Sequence, residues 1–227
     1  MKPPPILKSA IVTDDAELAA RLSSILSRRG HYLPVLDGPR MGRQDHNNEA
    51  VRRNNAIARA GVRKVTLGNL APDQESAMRA ILPASSVGSI SAEDVVQFCQ
   101  AQSDRPKLRW GRSQIGVGLL EALRSGRVIH FDDDLSSVVP LTEAKHLVVC
   151  ENGNDLSEVI AANYAFALEA DLVLIPKVAK ATAEAITEEL YSLYDCRDVG
   201  AAQAFADVAG RVRDLCPGVT APEGGSM

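Results

Sequence analysis

Residues 146–176, HLVVCENGNDLSEVIAANYAFALEADLVLIP, carry the strongest pattern of alternating strands and helix in the chain. One apolar run ends at Cys150, a polar turn follows, and a second apolar run spans 172–175 after a helix-length segment at 155–169. This succession predicts a strand, a helix and a strand, and the fully apolar last run is typical of a parallel sheet that is covered on both faces. Ligands bind such folds at the carboxyl ends of strands, so the turn after Cys150 is a candidate site.

The same alternation runs through the rest of the chain and predicts an α/β fold. Further strands are predicted at 10–13, 32–36, 62–67, 87–90 and 127–131, and further helices at 16–29, 49–60, 72–82, 92–102, 113–123, 181–194 and 201–215. Strands that alternate with helices indicate a mostly parallel sheet sandwiched by helices, Rossmann-like or caspase-like. The similar patterns at 11–36 and 148–175 fit two βαβ halves, although any two βαβ units share them.

The domain organisation is predicted from a break in this pattern. Residues 103–112 are polar, contain a proline and have no hydrophobic period, which favours a linker. The chain then comprises an N-terminal α/β half at 1–102, a C-terminal α/β half at 113–216 and a flexible tail at 217–227. A length of 227 residues suits one large domain or two small ones, so both remain open.

Composition limits the classes of partner. No run approaches the roughly 18 apolar residues of a spanning helix, and the first residues lack a signal-peptide core, so we expect a cytoplasmic protein without a membrane partner. A net charge of -4 gives no broad attraction to nucleic acid, which composition alone does not exclude. The four widely spaced cysteines predict reduced thiols rather than a zinc site. No motif identifies a cofactor.

A candidate anion site lies in the long polar connection at 38–49 and the start of the helix after it. Guanidinium groups and the free amides of a helix start bind phosphate or carboxylate. The predicted ligand-binding residues are Arg40, Arg43, Asn48, Arg52, Arg53 and Asn55. In the alternative interpretation, this loop is solvated and its arginines pair with Asp45 and Glu49. Neither a dinucleotide-binding glycine motif nor a phosphate-loop lysine accompanies it.

Two groups of adjacent carboxylates follow predicted strands, at 14–15 and at 132–134. Clustered carboxylates at strand ends can hold a hard cation such as magnesium. Aspartates in these positions also cap helices and form turns, which is the commoner role. The sequence predicts no metal ligand set from them.

Three segments, GLLEALRSGRVIHF at 118–131, AKHLVVCE at 144–151 and AANYAFALEA at 161–170, resemble in order the CHAT-type caspase-like peptidase domains. The resemblance spans about residues 115–195. It implies Cys150 as nucleophile and His130 as general base. The family carries a His-Gly pair, whereas Phe131 follows His130 in this chain. The turn formed by Asn152, Gly153 and Asn154 offers amide donors for an oxyanion or another ligand.

Two functions from different classes follow. The first is an α/β binding or regulatory module that recognises an anionic small molecule or a partner protein; the resemblance implies a non-catalytic caspase-like domain of a bacterial signalling or defence assembly. The alternative is a CHAT-type cysteine peptidase with Cys150 as nucleophile. Binding is favoured because the histidine does not match the family motif. Cys150 also fits a small buried residue at a strand end, and His130 a packed core residue.

Overall fold

The computed structural model describes residues 5–38, 61–82, 86–102, 104–132, 146–153 and 155–175. These residues form an α/β fold, which confirms the predicted fold class. The helices are α1 (Ala16–Leu26), α2 (Pro72–Ile81), α3 (Ala92–Ala101), α4 (Ile115–Ser125) and α5 (Asp155–Leu168). The strands are β1 (Ser9–Thr13), β2 (Val35–Asp37), β3 (Lys64–Gly68), β4 (Ser86–Ile90), β5 (Lys107–Trp110), β6 (Val128–Phe131), β7 (Leu147–Glu151) and β8 (Asp171–Ile175).

The chain divides into two compact units, Met1–Leu174 and Ile175–Met227. All described elements belong to the first unit, apart from the last residue of β8. The helices predicted at 49–60, 181–194 and 201–215 and the tail predicted at 217–227 lie outside the described residues. Within the described part of the chain, no helix combines the length and the apolar character needed to cross a bilayer.

The largest sheet is parallel throughout and has the strand order β2-β1-β3-β4. Its register pairs Ile11 of β1 with Val35 of β2 and with Thr66 of β3. Strand β5 pairs in parallel with β6, and β7 lies beside β8. A parallel arrangement places the carboxyl ends of paired strands at the same edge of a sheet, and the carboxyl ends of β1, β2 and β6 line the pocket described below.

Alternate residues of β1 supply two different cores. Ile11 packs into one hydrophobic cluster, whereas its neighbours Ala10 and Val12 pack into a second cluster that contains Met78 of α2. Successive side chains of a strand point to opposite faces of the sheet, so a fully apolar run is needed where both faces are covered. This explains why the short run at 10–13 predicts a buried parallel strand.

Helix α1 lies at the centre of the larger core. Asp15 caps it by accepting a hydrogen bond from the Leu18 amide at 2.9 Å, and its buried face includes Leu18 and Leu22. The helix packs against α3, α4, α5 and β6. One hydrophobic cluster therefore joins residues on both sides of 103–112, for example Leu18 with Leu119 and Val159.

Strand β5 differs from expectation because it falls in the segment predicted as a linker. Leu108 is half-buried and Trp110 is buried, whereas Lys107 and Arg109 are exposed. This alternation has the period of a strand with one covered face, but the charged residues and Pro106 mask it in the sequence. Backbone pairing with the apolar strand β6 stabilises β5, although the sequence of β5 alone favours a strand only weakly.

Candidate functional site

Cys150 lies on β7, half-buried, with its thiol 3.5 Å from the carbonyl oxygen of Glu151. Burial raises the pKa of the Cys150 thiol, and the carboxylates of Glu158 and Glu151 raise it further. A cysteine nucleophile needs the opposite environment, with a nearby cation or a helix start that favours the thiolate. The surroundings of Cys150 therefore favour the protonated thiol over the thiolate.

His130 lies on β6, and burial together with the positive charges of Arg21 and Lys107 lowers the pKa of its imidazole. Among the described residues, no hydrogen bond connects His130 with Cys150. The Nε2 atom of His130 is buried without a hydrogen-bond partner in this part of the chain. The structure thus places the two predicted catalytic residues on strands of different sheets, and no hydrogen bond within the described part of the chain pairs Cys150 with a base. The peptidase function stays a prediction.

The turn after β7 contains Gly153, which adopts a positive φ of 91°. This left-handed conformation favours glycine, which has no Cβ. The Gly153 amide donates a hydrogen bond to Oε1 of Glu158 at 3.3 Å. The sequence predicts the Gly153 amide as a donor to an oxyanion or another ligand, but in the structure it donates to the carboxylate of Glu158. Asn152 is exposed, and Asn154 lies outside the described residues.

The predicted anion site cannot be placed in the fold. Its members Arg40, Arg43, Asn48, Arg52, Arg53 and Asn55 all lie outside the described residues. Strand β2 ends at Asp37, directly before that segment, and Asp37 lines a pocket. The described site is built from different residues.

A cavity of about 620 Å³ lies at the carboxyl ends of the strands. Asp14 follows β1, Asp37 ends β2, Phe131 ends β6 and Gly153 follows β7. Residues far apart in sequence thus converge on one pocket at the carboxyl ends of strands from three sheets, and ligand sites of α/β folds commonly lie at such strand ends. Among the predicted ligand-binding residues that the structure describes, Gly153 lines this pocket.

The charged lining of the pocket is predominantly acidic. It contains the carboxylates of Asp14, Asp15, Glu17, Asp37 and Asp155 and the guanidinium of Arg112. Arg112 pairs with Oε2 of Glu17 at 3.3 Å, and Oε1 of Glu17 pairs with Arg21 at 2.5 Å. Among the lining residues that the structure describes, the one cation is therefore associated with one of the five carboxylates.

Some of these acids also have structural partners. Asp15 caps α1 and its other oxygen accepts a hydrogen bond from Asn69 at 3.1 Å. Asp14 is exposed and Asp155 lies in the first turn of α5. Among the described residues, no group of histidine, cysteine and acidic side chains has the arrangement of a metal site. The adjacent aspartates at 14–15 thus combine a capping role with a place in the pocket wall.

An apolar surface completes the pocket. It is formed by Ile115 at the start of α4, Phe131 and Leu156. The guanidinium of Arg21 lies 5.5 Å from the centroid of the Phe131 ring, a cation–π distance. A ligand that fills this pocket would meet both carboxylates and hydrocarbon. Sequence reasoning missed Glu17, Asp37 and Arg112 because only the fold brings them together.

In comparisons with known proteins, the chain matches no family model, no curated protein and no solved structure. No relative therefore assigns a reaction, ligand or partner to this fold. Because one fold can host many functions, the chemistry of the pocket is the basis for a functional inference.

Proposed function

We propose that the chain is a non-catalytic α/β binding module whose pocket takes a cationic group, an ammonium or a guanidinium. The group belongs to a small molecule or to a basic side chain of a protein partner. The observation that carries this proposal is the cavity at the carboxyl ends of the strands, whose described lining contains five carboxylates and one arginine, and this arginine pairs with Glu17.

Charge and shape both support this ligand class. Unit charges about 4 Å apart near a protein surface interact by roughly 4 kcal/mol before desolvation is subtracted, so a described lining with more carboxylates than guanidinium groups favours a cation over an anion. The hydrocarbon of Ile115, Phe131 and Leu156 suits the methylene stem of an amine or guanidine. An anionic ligand would have to displace Glu17 from Arg112 and approach the remaining acids.

A binding role is favoured over catalysis by three observations around Cys150. Burial and two carboxylates raise the pKa of its thiol, no hydrogen bond from a described residue connects it with His130, and the Gly153 amide is engaged by Glu158. An acyl-transfer site needs an activated nucleophile, a base and free oxyanion donors. The role in a signalling or defence assembly rests on the resemblance alone.

The test is a calorimetric titration with agmatine, which carries a guanidinium and an ammonium on a four-carbon chain. We expect saturable binding that weakens with salt, and about fivefold weaker binding for D14N, on the order of 1 kcal/mol. The matched control is D104N, which removes an exposed carboxylate outside the pocket lining. Its affinity should equal that of the wild type.

The same titration with inorganic phosphate separates this proposal from the predicted anion site. Phosphate binding without agmatine binding would overturn the cationic ligand class and favour the arginines at 40–53. Agmatine binding that D14N leaves unchanged would place the cation outside this pocket.

A further inference from the structure

A carboxylate that is closed off from solvent joins two separate segments of backbone. Glu158, in the first turn of α5, is fully buried and accepts a hydrogen bond at each of its oxygens. Oε2 accepts from the Gly116 amide of α4 at 3.1 Å, and Oε1 accepts from the Gly153 amide in the turn after β7 at 3.3 Å. A buried charge without such partners would be strongly destabilising, so the two amides are what makes an ionised Glu158 tolerable here.

The geometry of the two helices explains why one side chain reaches both amides. Gly116 is the second residue of α4, and the first amides of a helix have no carbonyl partner within it. Side chains of a helix lean towards its amino end, which directs the Glu158 carboxyl back over the turn that precedes α5. Glu158 therefore links the start of α4 to this turn.

The two linked segments differ in how tightly they are packed. A Cβ at position 116 would lie 2.6 Å from the backbone oxygen of Glu158, so α4 and α5 are in direct contact there. A Cβ at Gly153 would meet nothing within 4 Å among the described residues. Gly153 also lines the cavity, as does Ile115, the neighbour of Gly116. The turn is thus the segment that can move if Glu158 changes its hydrogen bonds, and such a movement alters the cavity wall.

The titratable groups nearest to the Glu158 carboxyl are acidic. Asp155 lies on the same helix, and Cys150 and Glu151 lie on β7, which packs against α5. Burial raises the pKa of Glu158 and the charge of Asp155 raises it further, whereas the two amide bonds lower it. The amides favour the ionised form locally, but burial outweighs them.

The other elements packed against α5 carry charges of both signs. Their charged residues are Glu121 and Arg124 of α4, Glu17 and Arg21 of α1, and Asp37 of β2. Arg21 pairs with Glu17, and Arg124 pairs with Asp171. Each of these arginines has a carboxylate partner other than Glu158, so the ionised form of Glu158 depends on the two backbone amides.

We propose that ionised Glu158 is a latch that holds the turn after β7 against the start of α4, and that a proton taken up by its carboxyl releases the turn. A hydrogen bond to a carboxylate is roughly twice as strong as one to a neutral acceptor, so both amide bonds weaken when the charge is lost. The bond to Gly153 is the longer of the two and its turn is the less packed, so it opens first. The latch needs no bound ligand and is independent of the proposed function.

The raised pKa sets the direction of the switch. The latch is closed at a pH above the folded pKa of Glu158 and open below it, and that pKa lies above the ordinary glutamate value of about 4.3. Between the two values an exposed glutamate is still ionised while Glu158 is protonated. The turn should therefore respond to mild acidification that leaves the surface carboxylates charged.

Amide chemical shifts measured by nuclear magnetic resonance test which group titrates. In the wild type we expect the Gly116 and Gly153 amides to shift with one shared midpoint above about 4.3, because one carboxyl accepts from both. Neither amide should titrate in E158Q. The matched control is D155N, which removes the neighbouring carboxylate on the same helix; both amides should still titrate, with a lower midpoint. Titration that D155N abolishes, or that persists in E158Q, would overturn the inference.

Hydrogen exchange at the same amides separates release of the turn from titration alone. After correction for the intrinsic effect of pH on exchange, we expect the protection of Gly153 to fall about fivefold below the midpoint, and that of Gly116 to fall less. If E158Q does not fold, D155N replaces it, because its exchange profile should move to lower pH by as much as its midpoint does. Protection of Gly153 that stays constant through the midpoint would show that Glu158 titrates without releasing the turn, and would overturn the latch.

Discussion

The thiol of Cys150 should behave as an unreactive cysteine. Burial, Glu158 and Glu151 raise its pKa, so little thiolate exists near neutral pH. We expect slow alkylation by iodoacetamide. The rate should rise only when the pH exceeds the ordinary pKa of a free cysteine thiol. Mass spectrometry of the peptide that contains Cys150 measures this rate. The variant H130A should not change it; fast labelling at neutral pH that H130A abolishes would restore the peptidase function.

The buried carboxylate of Glu158 should make stability depend on pH. Its side chain is fully buried, with Oε2 3.1 Å from the Gly116 amide and Oε1 3.3 Å from the Gly153 amide. Burial raises the pKa of Glu158 and nearby Asp155 adds to this, although the two amide bonds lower it. The folded state therefore binds the proton more tightly than the unfolded chain does, so the buried charge destabilises the fold above the folded pKa.

The destabilisation by the charge of Glu158 should disappear as the pH falls through the pKa of Glu158 in the folded state, towards its value of about 4.3 in the unfolded chain. We expect the free energy of unfolding of the wild type to rise relative to that of E158Q between about pH 7 and about pH 5. Urea unfolding at each pH measures the difference. E93Q, at an exposed position on α3, is the matched control and should show no such trend. If the difference in free energy of unfolding between wild type and E158Q does not change with pH, the Glu158 carboxyl does not have the raised pKa that its buried position implies.

At the scale of elements, α4 and α5 approach closely because α4 carries glycine at the contact. A Cβ at position 116 would lie 2.6 Å from the backbone oxygen of Glu158. The start of α4 has no side-chain cap of its own, and the Gly116 amide is satisfied by Glu158 across the interface. A Cβ at position 118 would likewise approach the ring of Trp110 on β5 to within 2.4 Å. Both Gly116 and Gly118, which weaken the helix prediction in the sequence, are therefore requirements of packing.

We expect G116A to lower the free energy of unfolding by about 1–3 kcal/mol, because the methyl group meets backbone rather than a movable side chain. The higher helix propensity of alanine, about 1 kcal/mol, offsets part of this cost. Chemical denaturation measures the change. The control is G88A on β4, where a Cβ meets nothing within 4 Å. Equal stability of the two variants would show that the helices can separate without cost.

The elements themselves were largely predictable, whereas the site was not. Apolar runs such as 10–13 and 172–175 predict strands because covered strands need apolar residues on both faces. Strand β5 was not predicted because its stability comes from pairing with β6. Arg112 and Asp37 were not predicted as site residues because only the folded arrangement of the strands brings them to the same pocket. Local patterns predict elements, but convergence at a sheet edge depends on contacts between residues distant in sequence.

At the scale of the whole molecule, the larger core should make residues 1–102 depend on the second half. Leu18 and Leu22 of α1 share one cluster with Leu119 of α4 and Val159 of α5. A fragment that ends at residue 102 loses those partners and exposes the apolar face of α1 to water, at a cost of roughly 25 cal/mol for each Å².

We therefore expect the fragment 1–102 to show no cooperative thermal unfolding by circular dichroism, and the full chain to show a transition that involves β1 and β6 together. Hydrogen exchange of the Ile11 and Ile129 amides in the full chain tests this, since both residues belong to the shared core and should open with the same free energy. A shared core opens as one unit, so its loss affects both halves together. A fragment that unfolds cooperatively, or amides that differ widely in opening free energy, would therefore support two independently folded halves instead.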